Sequence, residues 1–431
     1  MHMPGNRFIL ALVVLPALLL AGQPGIGRAQ ETPPAQGQEP KGWNPAEQAL
    51  IQSLSLSRLP PEPTDPSNHL LGHPEAEALG QKLFFDPRLS RNQHISCASC
   101  HQPERAFTDG LTVAQGLGTG LRNTPSLSGA AWQHWFFWDG RKDSLWSQAL
   151  APLETPEEHG LTRTEIVSFL LQDPDYRPAL KRLADDAHRL GTDLPFPALP
   201  AAMPGGTVEQ IRHWKALDTD LHQQVDYYFA LTGKAIAAFV STLRPPHSRV
   251  DTYAEALAKD QPSDGILSDT ELQGLRLFIG PKAQCINCHS GPLLTNQDFH
   301  NIGTGLPPDA EGRAAALNRV RFDRFNCLGA FSDAGADDCR ELQYMRQDRA
   351  HLRGSFKTPG LRNVSNTAPY FHHGQAATLE AVLAHYLQLG KHPDVPPTHA
   401  PDIDLTDTET AQLIAFLKAL AADTPALDPT P

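Results

Sequence analysis

Residues 97–101 read Cys-Ala-Ser-Cys-His and residues 285–289 read Cys-Ile-Asn-Cys-His, so the chain has two C-x-x-C-H motifs. Two cysteines three positions apart on a helical turn can each bond to the same porphyrin, and the histidine that follows then lies beneath the iron. A zinc site would need two more ligands beside each motif, and a thioredoxin-like site has no use for the histidine. The motifs therefore predict two covalently bound haems c, attached through Cys97, Cys100, Cys285 and Cys288, with His101 and His289 as proximal ligands.

The first 29 residues have the pattern of a secretory signal peptide. Arg7 precedes an apolar run over residues 8–21 that is short for a membrane span, and Gly27 and Ala29 are small enough for a signal peptidase site. The alternative is an N-terminal anchor helix. We expect a periplasmic protein that begins near Gln30 and has no membrane anchor in its mature form.

Length and charge limit the remaining possibilities. A chain of 431 residues is long for one hydrophobic core, which favours two domains. The formal net charge of -12 argues against nucleic-acid binding, because a phosphate backbone requires clustered Lys and Arg. The 39 prolines and 32 glycines indicate many loops between the regular elements.

Cys327 and Cys339 remain outside the haem motifs. They are separated by a short loop and would be exported to an oxidising compartment, which favours a disulfide between them. A metal site formed by the free pair is the alternative, but no third ligand of matching spacing lies nearby.

Apolar periodicity predicts helices before both haem motifs. Residues 80–84 (GQKLF) and 274–278 (GLRLF) repeat the same pattern ahead of each motif, and Ser268 and Glu271 form a capping box for the second helix. Further helices are expected over 221–243, 378–389 and 406–420, the last capped by Thr406 and Glu409, whereas proline-rich residues 194–206 suggest a surface excursion.

These patterns indicate a mainly α fold with two cytochrome c-like haem domains packed against each other. The predicted organisation is a signal peptide over 1–29, a flexible lead-in over 30–65, an N-terminal haem domain over 66–255 that binds peroxide, and a C-terminal haem domain over 256–424.

The sixth ligand of each iron determines what each haem can do. Methionine suits electron transfer, an open position admits peroxide, and tyrosinate favours ferric and higher states. The chain has four methionines, of which Met1 and Met3 would leave with the signal peptide, while Met203 and Met345 lie outside the final helices. A methionine-ligated haem therefore has little support in the sequence.

Several motifs together resemble the bacterial di-haem cytochrome c peroxidase and MauG superfamily. They occur in the expected order over residues 70–420, as LFFDPRLS at 83–90, ISCASCH at 95–101, RNTPSL at 122–127, WDGR at 138–141 and FKTPGLRN at 356–363. The resemblance implies a peroxide-using di-haem enzyme.

At the second haem, the resemblance separates two branches of the superfamily. Peroxidases place a methionine on the helix after a Tyr-Phe-His-x-Gly segment, and MauG places a tyrosine there. Here residues 370–374 (YFHHG) are followed by a helix without methionine, in which Tyr386 matches the MauG position. The resemblance thus implies that His289 and Tyr386 ligate the second iron. Alternatives are His385 as the ligand, although it faces another side of the helix, and Tyr386 as a core aromatic.

At the first haem, the resemblance implies an open distal face opposite His101. Peroxidases that need reductive activation cap this iron with a loop histidine, but no histidine occurs between His101 and His134. The distal residues of MauG-like proteins correspond to Gln148, Pro152 and Glu158. A carboxylate there can move a proton between the oxygens of peroxide. From residue chemistry alone, Glu158 and its neighbours Glu154 and Glu157 would each be solvated loop carboxylates.

Two further roles follow from the resemblance. Trp138 would lie between the haems and relay oxidising equivalents, whereas its ordinary role in an aromatic run would be core packing. One calcium ion would bind the side chain of Asn123 and the backbone carbonyls of Thr367 and Pro369, all hard oxygen donors.

One position departs from MauG, which exposes a tryptophan two residues before its second haem motif. Here that position is Ala283, so the substrate or the route to it must differ. Residues 325–329 with Cys339, and residues 158–160, resemble more closely a subgroup that includes MbnH, which oxidises a tryptophan of a partner protein.

The sequence therefore predicts a periplasmic di-haem oxidoreductase of the MauG type. Hydrogen peroxide would produce a high-valent di-haem state that oxidises a partner-protein residue, such as a tryptophan, at a distance. One alternative is a cytochrome c peroxidase that draws electrons from a small cytochrome. Another is a pure electron carrier with both irons six-coordinate.

Overall fold

A computed structural model describes residues 42–61, 63–184, 196–305, 310–389 and 398–422. The expected signal peptide and the first part of the lead-in lie outside these residues. The described residues from 44 to 422 belong to one compact unit. No helix in the described ranges is long and apolar enough to span a membrane.

The described part of the chain is mainly helical. Its α-helices are α1 (Pro45–Ser53), α2 (Pro74–Phe85), α3 (Cys97–Cys100), α4 (Leu145–Glu154), α5 (Arg163–Gln172), α6 (Arg177–Leu183), α7 (Val208–Ala216), α8 (Thr219–Ser241), α9 (Arg249–Ala258), α10 (Asp269–Ile279), α11 (Arg313–Arg321), α12 (Arg340–Gln343), α13 (Arg349–Leu352), α14 (Leu379–Gln388) and α15 (Asp407–Ala419). Two short antiparallel strands, β1 (Phe299–His300) and β2 (Phe356–Lys357), pair with Phe299 opposite Lys357.

Helix α8 is the centre of the first half. Almost every residue from Val225 to Ser241 is buried, as expected for a helix with apolar side chains on all faces. It packs against α2, α4 and α5. The backbones approach closely at Gly80 of α2, where an added Cβ would lie 1.9 Å from the Ala235 carbonyl oxygen.

The second half repeats this arrangement with α10 and α15. An added Cβ at Gly274 of α10 would lie 2.0 Å from the carbonyl oxygen of Gln412 in α15. Four residues after each glycine, Phe84 packs on Phe239 and Phe278 on Phe416, with ring centroids 5.3 and 4.9 Å apart. The repeated sequence before the haem motifs therefore corresponds to a repeated helix pair.

The helix caps agree with the sequence expectations. Ser268 and Glu271 form a capping box at the start of α10, and Thr406 and Glu409 form one at the start of α15. Helix α8 covers most of the helix expected over 221–243. These boundaries are confirmed because they depend on local hydrogen bonds that a short sequence specifies.

The structure adds detail to three expected segments. Within the lead-in, residues 45–53 form α1, and Ile51 and Leu54 are fully buried. The described part of the proline-rich excursion lies mostly at the surface, as expected, with Phe196 and Ala202 buried in the hydrophobic core. The domain boundary expected between 255 and 256 falls inside α9, whose Asp251 pairs with Arg362 in the second half at 2.5 Å.

Cys327 and Cys339 form a disulfide that closes a short loop before α12. Phe325, near the start of this loop, packs against Trp146 and Phe229 of the first half. The loop therefore lies on the core around α8, although it belongs to the second half of the sequence.

Candidate haem and peroxide site

The first C-x-x-C-H motif forms a single helical turn, α3. The backbone N–H of His101 donates to the Cys97 carbonyl at 2.9 Å, and the ring Nδ1 bonds to the Phe107 carbonyl at 3.1 Å. Burial lowers the pKa of His101, so its imidazole is neutral. The hydrogen bond at Nδ1 leaves Nε2 as the free donor atom, which is the usual arrangement of a metal-binding histidine.

The second motif has the same geometry. The backbone N–H of His289 donates to the Cys285 carbonyl at 2.8 Å, and Nδ1 bonds to the Leu294 carbonyl at 3.1 Å. Burial lowers the pKa of His289 to about 4, so this ring is also neutral. All four motif cysteines are free thiols, as thioether formation requires.

One cavity of about 900 Å³ is bordered by residues of both motifs. A smaller cavity beside the first motif adds Cys97 to the border. The Nε2 atom of buried His372, on the wall of the large cavity, has no hydrogen-bond partner among the described residues. The free thiols, the two oriented imidazoles and this orphaned nitrogen fit a bound group with polar edges, as a haem would be.

Tyr386 borders the cavity on the side of the second motif. Burial raises the pKa of its hydroxyl, and the thiols of Cys285 and Cys288 raise it further. Such a phenol ionises only when a cation lies opposite it, and an iron held by His289 would be that cation. The structure thus brings Tyr386 and His289 to the same cavity.

The competing ligands lie elsewhere. Nε2 of His385 bonds to the Ile302 carbonyl at 2.7 Å, and this residue does not border the cavity. Met345 packs in a separate apolar cluster with Trp135 and Phe299. Among the described residues, no methionine borders the cavity.

The three residues expected on the distal side of the first haem all lie beside His101. Gln148 and Pro152 are one turn apart on α4 and thus share a face, and Glu158 follows in the next turn. All three border both cavities, together with His101 and Cys100. Burial raises the pKa of Glu158, while the nearby Arg141 charge acts in the opposite direction. Glu154 pairs with Arg163 and borders neither cavity, whereas exposed Glu157 borders the large cavity and its charge also raises the pKa of Glu158.

A buried charged cluster borders the same cavity as Glu158. The Asp139 carboxylate lies between two guanidinium groups, 3.2 Å from Arg122 and 3.1 Å from Arg141. These charges lower the pKa of Asp139 despite its burial. The carboxylate therefore stays ionised and fixes both arginines on the cavity wall.

Trp138 precedes this aspartate and also borders the cavity. Its indole Nε1–H donates to the Asn123 carbonyl at 2.9 Å, and its ring lies 6.4 Å from that of His372. The indole is thus held at the wall shared by both motifs, which suits a relay.

The three expected calcium donors are all found at the same cavity. Asn123, Thr367 and Pro369 all border the cavity, and the Asn123 backbone N–H donates to the His372 carbonyl at 2.9 Å. The Asn123 side-chain nitrogen donates to the Leu111 carbonyl at 2.8 Å, which leaves the amide oxygen for a cation. These hard oxygen donors fit calcium, with water completing its shell.

Sequence reasoning missed two groups on the wall. The ammonium of Lys357 is held by the Gln133 side chain and by the Trp135 carbonyl at 2.8 Å, and burial lowers its pKa to about 7. The other is His372, which stacks on Phe356 with ring centroids 3.5 Å apart. Both occur in motifs quoted above, but nothing in a motif shows which polar side chain faces a cavity. Ala283 is buried on this wall, so no aromatic ring reaches the surface there.

Comparison with known proteins adds a family to this geometry. The sequence model of the di-haem cytochrome c peroxidase family matches residues 74–259. The methylamine utilization protein MauG of Methylorubrum extorquens is 30% identical over 420 residues, which cover 97% of this chain and 98% of that protein.

Relatives named as peroxidases are almost as similar. The cytochrome c551 peroxidase of Nitrosomonas europaea is 28% identical over 351 residues, which cover 80% of each chain. Among solved structures, a MauG-like protein associated with microbial copper homeostasis aligns with a TM-score of 0.58 at 28% identity, covering 86% of this chain and 96% of that one.

Proposed function

This chain belongs to the di-haem cytochrome c peroxidase family, and from that premise we propose that it uses hydrogen peroxide to oxidise a residue of a partner protein, as a MauG-type oxidase. As a member of this family it is an oxidoreductase that acts with peroxide. What the proposal adds to the family assignment is the source of the electrons that reduce peroxide.

The observation that supports this proposal is that one cavity has two unlike ends. At the His101 end, Gln148, Pro152 and Glu158 border both cavities, and the ring of His159, which borders the smaller one, is held by the Leu89 carbonyl at 2.7 Å. At the His289 end, Tyr386 offers a phenol oxygen instead of a methionine sulfur. One end suits peroxide binding, whereas the other suits storage of oxidising equivalents, because an anionic oxygen ligand favours higher oxidation states.

The haems, held by His101 and by His289 with Tyr386, supply the one-electron redox chemistry that the side chains lack. Glu158 as a carboxylate takes a proton from the near oxygen of peroxide and returns it to the far oxygen, which leaves as water. The Gln148 amide, one turn before Pro152, orients the peroxide beside Glu158. Reduction of one hydrogen peroxide to two waters consumes two protons and two electrons.

The two electrons come from the partner. Trp138 accepts them one at a time and passes them into the cavity, while its Nε1 proton stays hydrogen bonded to the Asn123 carbonyl. Because Ala283 is buried where MauG exposes a tryptophan, the partner docks elsewhere or gives up its electrons by another route. The relative named MauG and the MauG-like structure favour a protein substrate, such as one with an oxidisable tryptophan, in the periplasm.

Addition of peroxide to the protein with both haems tests this proposal. We expect one equivalent to change the absorption of both haems together, and the change to decay slowly without a reductant. A change confined to one haem would contradict the proposal, because it would show that Trp138 passes no oxidising equivalent between the two haems.

The relatives named as peroxidases favour a second candidate, reduction of peroxide with electrons from a small cytochrome. Steady-state assays with a reduced cytochrome c separate the two. Slow turnover supports the oxidase, whereas rapid turnover would assign the chain to the peroxidases.

A further inference from the structure

The tryptophans of the described residues differ in the charge over their rings. Four of them have a Lys or Arg cation within 5.5 Å of the ring centroid, namely Trp132 below Arg244 at 5.3 Å, Trp135 below Arg313 at 4.1 Å, Trp146 below Lys234 at 5.4 Å and Trp214 below Arg163 at 5.1 Å. Within residues 44–422 as far as they are described, no such cation lies over Trp138. The proposed relay is therefore set apart from its neighbours.

Arg313 differs from the other three cations because no carboxylate of the described residues contacts it. Lys234 pairs with Asp333 at 2.7 Å, Arg163 pairs with Asp226 at 2.6 Å, and Arg244 is exposed to screening water. Arg313 is only 2% exposed and donates to the carbonyls of Gly140 and Asp139 and to the Met345 sulfur, which are all neutral.

The Arg313 guanidinium lies between two aromatic rings, 4.1 Å from Trp135 and 4.2 Å from Phe299. Burial lowers its pKa to about 10, with more distant carboxylates acting in the opposite direction, so the group is charged at neutral pH. The positive charge of Arg313, which is buried and has no carboxylate of the described residues in contact, thus lies over the Trp135 ring.

A cation over an indole affects its oxidation. The charge is attracted to the π-electrons of the neutral ring and repels the positive charge left when an electron departs. In a buried site this repulsion is screened weakly. Trp135 should therefore lose an electron less readily than Trp138, whose Nε1–H instead donates to a carbonyl that stabilises positive charge.

The difference in how readily Trp135 and Trp138 lose an electron matters because of where Trp135 lies. It lies three residues before Trp138 and belongs to a buried cluster with Phe299 and Met345. Tyr344, the residue before Met345, is 81% exposed. An oxidising equivalent that reached Trp135 could be lost through these oxidisable side chains.

We propose that Arg313 confines oxidising equivalents to Trp138 by making Trp135 the poorer electron donor. Arg313 is a positioning residue for charge and touches neither peroxide nor haem. The inference rests on the proposed function, in which one electron leaves Trp138 for the cavity and one returns to it from the partner. Trp135 and Arg313 undergo no net change in that cycle.

The test compares Arg313→Met, which has similar length but no charge, with Arg313→Lys, which retains the charge. Each protein, with both haems, is treated with peroxide without a partner, digested and analysed by peptide mass spectrometry. An indole that takes one oxygen atom from peroxide leaves one water. We expect oxygen incorporation at Trp135 to rise several-fold in Arg313→Met, and to stay at the wild-type level in Arg313→Lys and in the control Arg244→Met.

Two failures are distinguishable. A wild-type protein whose haem spectrum does not respond to peroxide overturns the proposed function and this inference with it. A responsive Arg313→Met protein with normal haem content and no rise at Trp135 overturns this inference alone.

Trp135→Phe provides a second measurement if Arg313→Met does not fold. Phenylalanine retains the aromatic contact but is far harder to oxidise than tryptophan. If Trp135 holds no oxidising equivalent, the peroxide-induced spectral change should decay at the wild-type rate. A decay rate altered several-fold would show that Trp135 takes part, and would overturn the inference.

Discussion

At the scale of single residues, the proposed ligation by Tyr386 would distinguish the second haem from an ordinary electron carrier. Tyr386→Phe should raise the reduction potential of one haem and change its spectrum, because the ring remains while the anionic oxygen ligand is lost. Redox titration followed by absorption measures both effects. The matched control is Tyr370→Phe, since Tyr370 also borders the cavity but its hydroxyl donates to the Val364 carbonyl at 3.0 Å. An unchanged second haem in Tyr386→Phe would refute the ligand assignment.

Glu158 is the second decisive residue, because proposed proton movement depends on its carboxylate. Glu158→Gln should slow the reaction with peroxide about a hundredfold or more, the usual contribution of a general acid–base group. Stopped-flow mixing with peroxide measures the rate. Glu104→Gln is the control, because that carboxylate is exposed, borders neither cavity and should react at the wild-type rate. Equal rates in the two variants would remove Glu158 from the mechanism.

The pH profile gives an independent test of the same carboxylate. Burial raises the pKa of Glu158 above its ordinary 4.5, so the rate should fall on acidification at a pH above 4.5, as the carboxylate becomes protonated. The Arg141 charge favours the ionised form, so Arg141→Met should move this acid limb to higher pH. A limb that stays in place, or moves to lower pH, would contradict the assignment.

Residue identities on the cavity wall were predictable only where a motif includes them. The haem histidines, Tyr386 and Glu158 were expected, and the structure brings them to one cavity. Two buried cations were not expected, Lys357 on the wall, although it lies in the motif at 356–363, and Arg313 away from it, because a buried cation in a chain with 36 Lys and Arg has no local signature. The role of such a cation depends on residues far away in the sequence, as Arg313 depends on Trp135, and these come into contact only in the folded protein.

At the scale of elements, the two glycines in the repeated helices set how closely helix pairs approach. Gly80→Ala would place a Cβ 1.9 Å from the Ala235 carbonyl oxygen, and Gly274→Ala would place one 2.0 Å from that of Gln412. Each should lower the free energy of unfolding by about 1–3 kcal/mol, the cost of overpacking a core. Chemical denaturation monitored by circular dichroism measures the loss.

Gly205→Ala is the matched control, because no atom lies within 4 Å of the added Cβ. Its stability should stay within about 0.5 kcal/mol of the wild type. A stable Gly80→Ala protein would show that α2 and α8 can separate without cost.

The sequence predicted where these helices begin and end, but not which helices pack against each other. Caps and apolar periodicity located α10 and α15 because both signals are local. The close pairing of α2 with α8 was not predictable, since it joins Gly80 to a residue more than 150 positions away. Helix α1 was missed because the proline- and glutamine-rich composition around it hides a short apolar face at Ile51.

At the scale of the whole molecule, the two halves are joined by buried polar contacts. Arg362, in the second half, pairs with Asp251 of α9 at 2.5 Å and donates to the Leu54 carbonyl next to α1. Both charged side chains are almost completely buried. Loss of one partner from such a pair leaves an uncompensated charge, so this contact holds the halves together around the haem cavity.

Calcium would join the same halves at a second point. Asn123 belongs to the first half, whereas Thr367 and Pro369 belong to the second, and all three border the cavity. A chelator should therefore lower the melting temperature of the wild-type protein and alter the haem spectra. Calcium at a hundred times its Kd would stabilise the folded state by about 2.7 kcal/mol. The loss on chelation should be similar, because the unfolded chain lacks the site.

Two variants show whether these donors are the ones involved. Asn123→Ala should melt lower than the wild type and respond little to the chelator. Asn366→Ala is the control, because Asn366 adjoins Thr367 but its amide donates to the Asn363 side chain at 2.7 Å. It should keep the full chelator response, since the Thr367 and Pro369 carbonyls remain in place. A wild-type protein whose melting temperature ignores the chelator would exclude calcium as a link, and Arg362 with Asp251 would then be the principal connection between the halves.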